Sequence, residues 1–137
     1  MSCEQKSNFN KKIKIYSFGF KYETGFIAEC VFDARFLPNP FWEPSLKQKS
    51  GLDKGVQDFV KKSEDFESFV DLIVEATIFY LKARKEKEEI KIAIGCTGGR
   101  HRSVTVAVHV AQTLESKGYL VEVTHQDIDN DLGIQTC

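Results

Sequence analysis

The segment from residue 90 to residue 125 constrains the fold more than any other part of the chain. Ile90 to Ile94 is a short apolar run, read as a strand. It runs into a glycine-rich turn, Gly95-Cys96-Thr97-Gly98-Gly99. His101 to Lys117 is rich in valine, but its length and the terminal Gly118 favour a helix. Tyr119 to His125 alternates as a further strand. Strand, turn, helix and strand make a βαβ unit, which implies parallel pairing of its strands and a right-handed crossover.

The upstream residues extend this pattern. Ile13 to Phe18 and Cys30 to Ala34 read as strands. Pro38, Pro40 and Pro44 fall in the stretch 35–51 and rule out continuous helix there. Asp53 can cap a short helix to about Lys62, and Ser63 a longer one carrying Phe66, Phe69, Val70, Ile73, Thr77 and Leu81 at helical spacing. The expected fold is α/β: a small, mainly parallel sheet of about four strands flanked by helices in two or three layers. Its domain spans 13–125, after a polar lead-in (1–12) and before a polar, acidic tail (126–137). In such sheets ligands bind beyond the carboxyl ends of the strands, where the loops after Phe18, Ala34 and Ile94 can meet.

Bulk properties exclude several function classes. The chain has 137 residues, enough for one domain, and a formal charge of −1, so total charge does not call for a nucleic-acid partner. The cysteines at 3, 30, 96 and 137 have neither disulfide-framework nor zinc-site spacing. No metal and no cofactor is expected. The lead-in lacks an apolar core and no apolar run could span a bilayer, so the expected location is the cytoplasm, without a membrane partner.

The turn itself is chemically pointed. Gly98 and Gly99 allow positive φ and close backbone approach to a ligand. Successive N–H groups in such a turn form an anion nest, and the helix that follows adds its positive end. Thr97 and Ser103 add hydroxyls; Arg100, His101 and Arg102 add cationic donors. Cations at a helix N-terminus oppose the macrodipole and are costly unless an anion is present. The stretch is neither a Walker A loop nor a G-x-G-x-x-G dinucleotide turn. Cys96 and Arg102 do have the C-x5-R-[ST] spacing of cysteine phosphatases, with Ser103 next. In that alternative Cys96 is the nucleophile, Arg102 clamps phosphate, and Asp33 or Asp127 supplies the acid.

Four stretches carry a family resemblance: Ser17-Phe18-Gly19-Phe20-Lys21-Tyr22, Val31 to Pro40, Ser50-Gly51-Leu52-Asp53, and Ala93 to Ser103. In this order, over about 13–125, the chain resembles the C-terminal domain of the RapZ/YvcJ family of bacterial proteins, without that family's N-terminal P-loop domain. The resemblance implies a phosphofructokinase-like half-domain with a sugar-phosphate pocket, an amino-sugar phosphate being the ligand in enterobacterial members. Carried onto this chain, the pocket comprises residues Cys96 to Ser103, with Lys21 and Asn39 from the other matching loops. The resemblance also implies an RNA-binding adaptor, but here Phe41 replaces the family's usual histidine and the end of the chain is acidic where RNA-binding members are basic. Both departures weaken RNA affinity. Exposed Phe41 and Trp42 instead suggest an interface between copies of the chain.

Overall fold

The computed structural model describes residues 10–22 and 27–130. Strand β1 spans Lys12–Gly19 and β2 spans Cys30–Asp33. A 3-10 turn, Pro40–Trp42, precedes helices α1 (Lys54–Val60) and α2 (Phe66–Ala83). Strand β3 is Glu89–Cys96, helix α3 is Arg102–Ser116, and β4 is Leu120–His125. The four strands are all parallel, in the order β2-β3-β1-β4.

The expected α/β sheet is present, with one correction to its pairing. β3 and β4 belong to one parallel sheet but do not pair, because β1 lies between them. The βαβ pattern dictates parallel direction; it does not forbid a strand from inserting into the crossover. Both helical connections, β2 to β3 and β3 to β4, travel the same way across the sheet. With right-handed crossovers they lie on the same face, and the domain is two-layered.

Alternation along the strands follows this arrangement. Ile13, Ile15, Ile90, Ile92 and Ile94 are fully buried, facing Ile73 and Leu81 of α2 and Val106, Val110 and Leu114 of α3. The opposite face carries Lys12, Lys14, Val31 and Glu122. There Lys14 pairs with Glu89 and Glu122 at 3.5 and 3.8 Å. Toward the carboxyl end that face is closed by Phe18 and Phe20, edge to face at 4.8 Å. They pack on Gly95, where a Cβ would lie 2.5 Å from the Phe18 ring.

Helix ends are fixed by local chemistry. Asp53 accepts from the Gly55 N–H at 2.8 Å and caps α1 as expected. Ser63 does not cap α2: its hydroxyl accepts from Asp65 N–H at 3.1 Å in the preceding turn, and the helix begins at Phe66. At the other end of α2, buried Lys11 donates to the carbonyls of Leu81 (2.7 Å) and Arg84 (2.9 Å). A cation on the last carbonyls offsets the helix dipole. Helix α3 closes on Gly118, at φ 96°, with Gly118 N–H on Glu115 O and Tyr119 N–H on Leu114 O. That pair of bonds is a Schellman motif.

Both domain limits move outward from 13 and 125. Lys11 is already buried. Beyond β4, Gln126 N–H donates to Ser17 O at 2.8 Å, and the buried Asp127 carboxylate accepts from Gly19 N–H (2.8 Å) and the Asn130 amide (2.6 Å). Residues 126–130 are therefore integral to the domain, while the rest of the expected tail and most of the lead-in lie outside the described residues. Asp127→Ala should leave a buried N–H unpaired and lower unfolding stability by about 1–3 kcal/mol. Urea denaturation tests this; an unchanged midpoint would show that the 126–130 turn contributes nothing.

Candidate anion-binding site

In the order β2-β3-β1-β4 the chain leaving β1 for β2 passes the end of β3, and the chain leaving β3 for β4 passes the end of β1. Ligands of parallel sheets bind beyond the carboxyl ends of the strands. The loops after the first three strands do meet there. Phe20 N–H donates to Cys96 O at 2.8 Å, Lys21 N–H to Thr97 O at 3.2 Å, and Ala34 N–H to Gly95 O at 2.7 Å. Gly99 has φ 79°, and a Cβ on it would lie 2.6 Å from Gly19 N. Backbone packs directly on backbone at this point, which excludes any side chain from position 99.

The structure separates the expected site residues whose polar groups are taken up in building the turn from the one that retains a buried donor. Arg100 is a builder. Its buried guanidinium donates to Gln48 O at 2.8 Å and to Ile128 O, while its own carbonyl accepts from Gly51 N–H at 2.7 Å. His101 is another: fully buried, its Nε2 lies 2.6 Å from Lys49 O, so that nitrogen carries the proton. Burial pushes the His101 imidazole below its ordinary pKa. These two side chains hold the 47–51 segment over the start of α3. Asn39 caps the 3-10 turn by accepting from Phe41 N–H at 3.1 Å. Lys21 has an exposed side chain, its ammonium 5.2 Å from the Tyr22 ring centre.

Arg102 differs from both. It is 4 % exposed, and one terminal nitrogen donates to Arg35 O at 2.7 Å. Its Nε is buried with no hydrogen-bond partner among the described residues. Neither Arg100 nor Arg102 forms an ion pair among them. Two desolvated guanidinium charges thus stand at a helix N-terminus that has no side-chain cap. An unpaired buried charge is costly, and a buried donor without an acceptor costs about 1–3 kcal/mol more. An anion would relieve both.

The thiol geometry bears on the phosphatase alternative. Cys96 is fully buried, and its Sγ bonds Ser103 Oγ at 3.2 Å. Asp33 is ill suited to the acid role. Arg35 grips it in a two-pronged pair at 2.8 and 2.9 Å, and this hydrogen bonding holds its carboxyl below the usual carboxylate range. Asp127, the other acid candidate, has both carboxylate oxygens occupied within the fold. Sequence reasoning missed Arg35, which also stacks over Phe20 at 4.2 Å and whose carbonyl accepts from Arg102. Its position two residues after Asp33 was the available signal.

Residues 11–129 match the RapZ C-terminal domain family. The chain belongs to that family. Members it resembles include a protein named "Nucleotide-binding protein" from Caldicellulosiruptor bescii, 44 % identical over 94 % of this chain and 45 % of that protein. A protein of the same description from Clostridium acetobutylicum is 43 % identical over 88 % of this chain and 42 % of its own length. One from Bifidobacterium adolescentis is 43 % identical over 85 % and 38 %. This RapZ-type domain thus spans less than half the length of these relatives. None of its described helices is long and apolar enough to cross a membrane.

The buried imidazole has a pH consequence. The unfolded chain takes up a proton near the ordinary imidazole pKa of about 6.5, but folded His101 resists it. Its contribution to stability is therefore complete above that range and is lost as pH falls through it. Between about pH 7.5 and 5.5 the urea midpoint should fall more for the wild type than for His101→Gln, which keeps a donor toward Lys49. Equal falls would show that His101 carries no such penalty.

Proposed function

We propose that this domain is a binding module for a phosphorylated small metabolite, with the phosphate seated on the Gly98-Gly99 turn at the start of α3. The observation that carries the reading is Arg102: a buried cation that, among the described residues, forms no ion pair and has no hydrogen-bond partner at Nε, beside a helix N-terminus without a side-chain cap. The Thr97 hydroxyl is exposed and adds a donor at the rim. Cys96, Ser103, Arg100 and His101 shape the turn; Lys21, Arg35 and Asn39 belong to the loops around it. The resemblance points to a hexosamine phosphate as the ligand. The relatives' name points to a nucleotide, whose phosphate the same turn could receive.

Hydrolysis is the weaker reading. It has the C-x5-R spacing and the Cys96–Ser103 bond in its favour. Against it stand the buried thiol and an Asp33 held ionised. RNA binding stays a reading of the resemblance alone.

Isothermal titration with inorganic phosphate, a hexosamine phosphate and ATP tests the proposal. We expect the sugar phosphate to bind more tightly than phosphate alone. Arg102→Lys, which keeps the charge and lacks Nε, should bind at least about tenfold more weakly, or about 1.4 kcal/mol. Circular dichroism checks that the variant folds. Equal affinity of a folded variant would remove the site. Turnover of an aryl phosphate that Cys96→Ser abolishes would favour the enzyme.

A further inference from the structure

The carbonyls that hold Arg102 belong to a tight turn after β2. Ala34 N–H donates to Gly95 O at 2.7 Å, and Leu37 N–H donates back to Ala34 O at 3.2 Å. Ala34 and Leu37 are both buried, so the two ends of the turn are fixed to the sheet and the core. The central peptide, between Arg35 and Phe36, takes no part in the closing bond. Turns of types I and II differ by a flip of this peptide, which reverses its carbonyl. Arg35 O meets the Arg102 guanidinium in only one of those settings. A guanidinium is planar. With one terminal nitrogen on Arg35 O at 2.7 Å and on Leu37 O at 3.4 Å, the plane of Arg102 is set, and the buried Nε is set with it.

Asp33 secures residue 35. Its Oδ1 accepts from Arg35 N–H and from Arg35 Nε, both at 2.9 Å, and its Oδ2 accepts from a terminal nitrogen of Arg35 at 2.8 Å. The bond to the backbone two residues on is an Asx turn. Arg35 also lies over the Phe20 ring at 4.2 Å. Its guanidinium is thus committed to the turn and is not a spare cation for a ligand. The Asp33 carboxyl is held below its ordinary range chiefly by the Arg35 hydrogen bonds, and the charge of Arg102 adds to the effect. Asp33 therefore lies within electrostatic reach of an anion on Arg102. Through space this carboxylate weakens anion binding; through the turn it strengthens it. The two effects have opposite signs.

We propose that Asp33 is a positioning residue for the anion site: by fixing the 34–37 turn it presents Arg35 O to Arg102 and so orients the Arg102 Nε. This rests on the anion-binding reading above and says how that site is preorganised. The coupling is reciprocal, so a bound anion also steadies the turn.

Isothermal titration of the wild type, Asp33→Ala and Asp33→Asn with inorganic phosphate tests this, with 15N spectra following the Arg102 Nε–H. Asn keeps an acceptor for Arg35 N–H and drops the negative charge. Asp33→Ala should bind phosphate at least about fivefold more weakly than the wild type, although it removes a repelling charge. Its Arg102 Nε–H signal should also shift before any phosphate is added. Asp33→Asn should bind more tightly than Asp33→Ala, with that signal near its wild-type position. The Asp33 side chain is half exposed at the end of an edge strand, so both variants should fold, which circular dichroism checks. Affinity of Asp33→Ala equal to or above that of the wild type would overturn the proposal and leave the anion site standing. So would equal affinities of the two variants, or an Arg102 signal that neither moves. A wild type that binds neither phosphate nor a hexosamine phosphate would remove the site and this role together.

Discussion

Everything at the carboxyl end of the sheet depends on the backbone contact between Gly19 and Gly99. β1 and β3 run in register so that Gly19 lies beside Cys96. The turn after β3 folds back onto the end of β1 with no side chain between. Asp127 then accepts the Gly19 N–H and ties β4 to the same point. Three strands that are distant in sequence converge within one turn's width. The glycines bring the turn down onto β1, and helix α3 begins directly after it, at Arg102.

Electrostatics then separates scaffold from site. Arg100 and His101 spend their donors on carbonyls of the 47–51 segment and of residue 128, so the segment following the proline-rich loop becomes a lid on the start of α3. Arg102 retains a buried nitrogen with no partner among the described residues. The cost of burying it is the physical reason for expecting an anion, independent of any family likeness. Asp33, which would repel one, is neutralised by Arg35 at the rim.

Much of this was legible in the sequence, for identifiable reasons. The strands show as alternating or wholly apolar runs, since one face of each packs on helices. The glycine-rich turn shows because few other uses suit two glycines followed by Arg-His-Arg at a helix start. The order of strands was not legible: nothing in residues 90–125 reveals that β1 inserts between β3 and β4. Nor were the roles of Arg100 and His101, because their acceptors are backbone carbonyls some fifty residues upstream and nearly thirty downstream, and a carbonyl leaves no mark on sequence. The 126–130 turn read as tail because its composition is polar, although its one buried carboxylate is what anchors it.

The central claim is that the start of α3 holds an anion through Arg102. The most direct measurement is an NMR titration of the 15N-labelled protein with phosphate, following backbone amides and the arginine Nε–H signals. The account predicts saturable shifts confined to residues 97–104 and the Arg102 Nε–H. Shifts spread over surface lysines, with the amides of 97–104 and Arg102 unmoved, would contradict it.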